Sequence, residues 1–354
     1  MTNATPESTP CRGYAAVDAH SPLAPHAFTR RALRDNDVRI DIRYCGVCHS
    51  DLHQARNDWR NTVYPCIPGH EIVGQVAAAG PSAKRFKVGD WVAVGCLVDS
   101  CRECGECKAG REVFCQKGAT LTYNGKDRQT GELTFGGYSS HVVVREEFVL
   151  RMPDGLDPAR AAPLLCAGIT TYSPLRHWRV GPGSKVAVAG LGGLGHMGVK
   201  LAHAMGAEVT VLTRSAAKAD EATALGAHHV LLASDTDSIK RATGTFDFVL
   251  DTIPVVHELD PYLRLVRTHG ALVLVGVIDT IPAFSSRLLI GGRKSLSGSA
   301  IGGIAETQEL LDFCAAKGVA ADCEMTTMPR INEAFERMAK GDVRYRFVVD
   351  MRTL

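Results

Sequence analysis

The chain has 354 residues, 45% hydrophobic and 22% charged, with 40 Lys plus Arg against 38 Asp plus Glu. These values exclude a largely disordered chain, and the length allows two domains of ordinary size. The cations are scattered and nearly balanced by acids, which excludes an electrostatic footprint for nucleic acid, and no run of about 18 apolar residues offers a membrane span.

Residues 1–10, MTNATPESTP, are polar and lack the charged start and apolar run of a secretory signal. They read as a mobile tail, with ordered structure expected from near Gly13. A cytoplasmic location is the expectation, with the 12 cysteines kept as reduced thiols.

From Gly13 to about Leu150, short strand-like runs are punctuated by Gly, Pro and Asp: VRIDIRY from Val38, IVGQVAAAG from Ile72 and SSHVVVR from Ser139. This predicts a mostly β domain. Between the runs stand GVCHSDLH, with Cys48 and His49, PGHE, with His70 and Glu71, and PLLCAGIT, with Cys166. Singly, each of these residues also suits a small core thiol or a satisfied polar group. The loop at 101–115 is more specific. Cys101, Cys104 and Cys107 are each separated by two residues and Cys115 follows after seven more, so one loop can fold four thiolates around a tetrahedral zinc. Such a site has no open position and is expected to be structural.

After Gly183 the rhythm becomes strand and helix in alternation: KVAVAG at Lys185, EVTVL at Glu208, HHVLLA at His228, FDFVLD at Phe246 and ALVLVG at Ala271. That predicts a doubly wound parallel sheet, a Rossmann-type α/β domain. Strand KVAVA runs into Gly190, Gly192, Gly193, Leu194 and Gly195, and the helical HMGVKLAHAMG follows. In that context Gly190 gives the tight turn, Gly192 the close approach of a pyrophosphate and Gly195 the close packing of the helix. The second strand ends in Thr213, Arg214 and Ser215, with Lys218 behind, where an acid would grip the ribose of NAD. Hydroxyl and cationic groups suit the 2'-phosphate of NADP(H), although Arg214 and Lys218 would also serve to begin a solvated helix. The last fifty residues offer helices ETQELLDFCAAKG from Glu306 and INEAFERMAKG from Ile331, and a final strand YRFVVDM from Tyr345.

Taken together, GVCHSDLH, YPCIPGHEIVG, the four-cysteine loop, PLLCAGITTYSPL and GLGGLGHMGVKLAHAMG resemble the zinc-dependent medium-chain alcohol dehydrogenases, most closely the cinnamyl alcohol dehydrogenase branch. The resemblance covers nearly the whole chain. It implies a GroES-like catalytic domain over 11–167, completed by 304–354, and a Rossmann cofactor domain over 168–303. It implies two zinc ions per chain, the catalytic one held by Cys48, His70 and Cys166, with Glu71 able to approach the metal transiently. Ser50 and His53 become a proton relay, and Asp51 a partner of His70. The cofactor set takes in His49, Thr170, Val277, Ser299 and Ile301 besides the glycine loop and the Thr213 segment. Trp59, Cys96 and Leu97 match substrate-pocket walls, a core role for Trp59 standing beside that, and the lesser alternative for His53 is a plain surface histidine. A homodimer is implied through the strand-like KSLSGSAI from Lys294. The expected reaction interconverts primary alcohols and aldehydes, aromatic or medium-chain aliphatic, by hydride transfer with NADP(H). An NAD-linked alcohol or polyol dehydrogenase, a zinc-stabilised binding or redox-sensing protein and a zinc-free quinone reductase are the alternatives; the last has no need of either cysteine set.

Overall fold

The computed structural model describes residues 8–354, which divide into one unit ending at Cys166 and resuming at Gly302, and a second over Ala167–Ile301. Residues 1–7 of the predicted tail lie outside the described residues. Order begins earlier than Gly13: β1 (Thr9–Ala15) pairs antiparallel with β2 (Ala24–Arg30), and Cys11 and Ala15 turn inward from it. The tail composition concealed this strand because only alternate residues of it are buried.

The first unit is built on β3 (Asp37–Val47), β4 (Ile72–Ala79), β5 (Trp91–Val94), β6 (Leu97–Asp99), β7 (Thr120–Leu121), β8 (His141–Arg145) and β9 (Leu150–Arg151). β3 alternates as the sequence does, with Val38, Ile40 and Ile42 buried and Arg39, Asp41 and Arg43 turned the other way. β4 and β8 pair antiparallel on either side of its N-terminal half.

In the second unit six parallel strands carry the apolar runs: β10 (Lys185–Ala189), β11 (Glu208–Thr213), β12 (His229–Leu232), β13 (Phe246–Asp251), β14 (Val266–Leu274) and β15 (Ser295–Gly298). Their order is β12-β11-β10-β13-β14-β15, so the chain reverses direction across the sheet at β10 and β13. Crevices at the carboxyl ends of strands flanking such a reversal are where dinucleotides bind. β10 and β11 are fully buried between their first residues and their ends, as expected of a sheet covered on both faces.

Beyond Gly302 the chain returns to the first unit through the helix Ile304–Lys317, β16 (Cys323–Thr327), the helix Ile331–Ala339 and β17 (Arg346–Asp350). β17 lies antiparallel on the C-terminal half of β3, which completes a seven-stranded sheet. No helix among the described residues is long and apolar enough to cross a membrane.

Candidate active site

The four-cysteine loop closes on itself. Ligand atoms of Cys101, Cys104, Cys107 and Cys115 all lie within 4.8 Å of one another. The Sγ atoms of Cys101 and Cys107 stand 3.8 Å apart, and two sulfurs each about 2.3 Å from one tetrahedral zinc are separated by about 3.8 Å. Backbone N–H groups of Cys101 and Cys104 donate to the Sγ atoms of Cys115 and Cys101, both at 3.4 Å, which favours thiolate over thiol. Amide donors from Cys107 and Gln116 lower the Cys104 thiol to about 6. The loop therefore fits a closed zinc site.

A second set assembles from three distant segments. Cys48 caps the N-terminus of the helix His49–Ala55, His70 and Glu71 come from the loop entering β4, and Cys166 ends the first unit. Their ligand atoms also lie within 4.8 Å of one another, all four residues are buried, and the Sγ atoms of Cys48 and Cys166 are 3.8 Å apart. Two thiolates and an imidazole fit zinc with one position left for another ligand.

Asp51 fixes this geometry. It is fully buried, and its two oxygens accept four hydrogen bonds, from Cys48 N–H at 3.0 Å, Gly69 N–H at 2.9 Å, His70 Nδ1 at 2.9 Å and the Tyr138 hydroxyl at 3.0 Å. Because Nδ1 of His70 donates to Asp51, Nε2 carries the lone pair that a metal needs.

Glu71 is also fully buried and forms an ion pair with Arg346 on β17, while its Oε2 has no hydrogen-bond partner among the described residues. Burial pushes its carboxyl up to about 7 against the opposing pull of the Arg346 guanidinium. Gly46 makes the space for it: a Cβ there would stand 1.8 Å from Glu71 Oε2. Arg346, Tyr138 and Gly46 escaped the sequence reading, since a single Arg, Tyr or Gly in a strand-like run has no local signature of a role in a site.

The helix that begins after Cys48 also presents Ser50 and His53, the residues expected to form the relay. Ser50 is half-buried, and His53, one turn further on, is 41% exposed with Nδ1 2.8 Å from Asp58 Oδ2. The His53 ring lies 6.2 Å from that of His49 and 5.8 Å from that of Trp59, which is exposed and not part of the core. The Cys96 thiol points at the carbonyl of Leu165, 3.7 Å away and next to Cys166. Leu97, in contrast, is 2% exposed within the body of the unit.

In the second unit the glycine loop has the predicted strand before it and the helix Gly195–Ala204 after it. Gly190 holds φ at +91°, a Cβ on Gly195 would meet the Gly190 carbonyl at 2.2 Å, and the Cβ side of Gly192 is open. The first two demand glycine, and the third leaves room for a ligand to approach the backbone. Gly193 and Leu194 complete the loop. At the end of β11, Thr213 is buried and its Oγ1 accepts the Ser215 N–H at 3.2 Å, while Arg214 and Ser215 are exposed. The Lys218 amine donates to the carbonyl of Leu191 at 2.8 Å, so it is tied to the glycine loop itself. Thr170 is buried in the helix Ala167–His177, Val277 is 71% exposed beyond β14, and Ser299 and Ile301 follow β15.

Similarity to known proteins agrees with this geometry. The profile of the alcohol dehydrogenase GroES-like domain matches residues 34–154, and that of the zinc-binding dehydrogenases matches 193–316. The aldehyde reductase YahK of Escherichia coli is 53% identical over 342 residues, covering 96% of this chain and 97% of that one. A cinnamyl alcohol dehydrogenase of Sorghum bicolor superposes with a TM-score of 0.94 at 44% identity, over 97% of this chain and 98% of its own. The CAD of Helicobacter pylori, solved in complex with NADP(H), gives 0.91 at 40% identity, over 98% of this chain and 99% of its own. The chain belongs to the zinc-dependent medium-chain alcohol dehydrogenases, in the cinnamyl alcohol dehydrogenase branch, and is an oxidoreductase of that class.

Proposed function

We propose that the enzyme reduces aromatic and medium-chain aliphatic aldehydes to primary alcohols, and runs the reverse reaction, with NADP(H) in preference to NAD(H). The end of β11 carries the cofactor reading: it offers Thr213, Arg214 and Ser215 in place of an acid, with Lys218 anchored to Leu191 of the glycine loop. An acid there would repel a 2'-phosphate, whereas these groups can donate to it. The NADP(H) bound by the Helicobacter pylori relative supports the same reading. Steady-state kinetics with an aldehyde panel test it: kcat/KM is expected to be at least tenfold higher with NADPH than with NADH. Equal or better efficiency with NADH would make the enzyme an NAD-linked dehydrogenase on the same scaffold.

Zinc held by Cys48, His70 and Cys166 would supply Lewis acidity at the substrate oxygen, and the nicotinamide the hydride. Asp51 holds His70 in the tautomer that ligates and, through the Cys48 amide, sets the N-terminus of the helix bearing Ser50. The Ser50 hydroxyl takes the proton of an alcohol substrate, or returns it to the product of reduction, and His53 exchanges that proton with water from its half-exposed position beside Asp58. Arg346 restrains the Glu71 carboxylate, which could otherwise compete for the metal. Trp59 and Cys96 are assigned to the pocket wall, because each lies against a member of the relay or ligand segments. Leu97, which follows Cys96 and is buried as the three zinc ligands are, is assigned to the same wall.

A homodimer formed along β15 belongs to the same proposal, because β15 ends the six-stranded sheet and leaves an edge that a second copy can extend. Light scattering at micromolar concentration is expected to give twice the chain mass of 38.0 kDa; a monomer would contradict it. Thiolate ligands keep their chemistry in a reducing compartment, so a cytoplasmic location completes the reading.

A further inference from the structure

Two strands of the first unit and the segment after β17 turn guanidinium groups toward one pocket of about 490 Å³, which shares no lining residue with either cysteine set. Arg39, Asp41 and Arg43 reach it from the outward face of β3, Arg12 from β1, His141 from β8, and Arg352 from the segment after β17. The register explains the convergence: Asp41 pairs with His141 across β3 and β8, and Gly13, next to Arg12, bridges to Ser139.

The charges there are not balanced. Arg352 is neutralised by Asp350, with bonds of 2.8 and 2.6 Å. Arg43 has only the neutral Gln75, at 3.3 Å, and the side chains of Arg12 and Arg39 have no ion-pair partner among the described residues. The Nε of Arg39 is buried and has no acceptor. Against three guanidinium groups without an ion-pair partner stands the carboxylate of Asp41. A buried donor without an acceptor is destabilising, and planar guanidinium forks match phosphate oxygens. The volume of the pocket lies in the range of small-molecule sites.

The geometry points to an anion site for a phosphorylated small molecule of mononucleotide size, separate from the cofactor loop. The site is independent of which nicotinamide cofactor the enzyme prefers.

Calorimetric titration of the zinc-loaded, full-length enzyme tests this with the cofactor site first saturated by NADPH. The probes are inorganic phosphate and AMP. Saturable binding of AMP, weakened at least tenfold by Arg39→Gln and by the exposed Arg12→Gln, is expected, with kcat unchanged in both variants. AMP binding tighter than inorganic phosphate assigns a nucleotide-like ligand, and equal binding assigns the phosphate alone. AMP and phosphate binding that disappears once NADPH is present, or that neither substitution weakens, would overturn the site.

Discussion

Asp51 accepts four hydrogen bonds on two oxygens, and each donor belongs to a segment that shapes the metal centre. Asn at this position keeps the size but turns an NH2 group toward one pair of those donors, Cys48 and Tyr138 or Gly69 and His70. Asp51→Asn is expected to weaken zinc at the catalytic site about 10–100-fold, read as faster transfer of one zinc per chain to a chelator, while far-UV circular dichroism stays unchanged. Zinc transfer at the wild-type rate would show that His70 needs no such partner. Thr213→Asp is expected to lower kcat/KM for NADPH roughly tenfold or more, since one charge-assisted bond is worth about 1.5–3 kcal/mol, and to raise it for NADH. No change with either cofactor would place Thr213 outside the ribose site. Much at this scale was readable from spacing and resemblance: the eight metal-set residues come together in two clusters. Arg346 and Tyr138 were not, because their roles arise from contacts 275 and 87 residues away in sequence.

Elements with a clean apolar period were legible, and those without one were not. β10, β11 and β13 read directly from their apolar runs, as did the helices Ile304–Lys317 and Ile331–Ala339. β1 was lost in a polar tail, β16 is a partly exposed CEMTT run, and β7 has two residues, so none of them offers enough period to read. One link between elements has a measurable consequence. Glu112, three residues before Cys115, accepts the Ile304 N–H at 3.0 Å and so caps the helix by which the chain re-enters the first unit. Glu112→Ala is expected to destabilise the protein by about 1 kcal/mol, seen in the midpoint of chemical denaturation, with kcat unchanged. An unaltered midpoint would mean that water replaces this cap without loss.

At the scale of the whole molecule, the two cysteine sets divide the work. A site of four thiolates can only hold its lobe together, whereas a site of two thiolates and an imidazole leaves a position for substrate. Cys101→Ser should therefore lower stability first and activity as a consequence, and Cys48→Ser should remove turnover from a folded protein. The two-domain arrangement was legible because the strand rhythm changes near Gly183; the return of the C-terminal segment to the first unit was legible only through the family resemblance, since nothing local in a helix or a strand names its partner sheet. The most direct test is the zinc content of purified wild type and Cys48→Ser measured beside aldehyde turnover. The account predicts two zinc ions per chain with turnover in the wild type, and one zinc, a native circular dichroism spectrum and no turnover in the variant. A fully active wild type holding one zinc or none, or a Cys48→Ser protein that still turns over aldehyde, would contradict it.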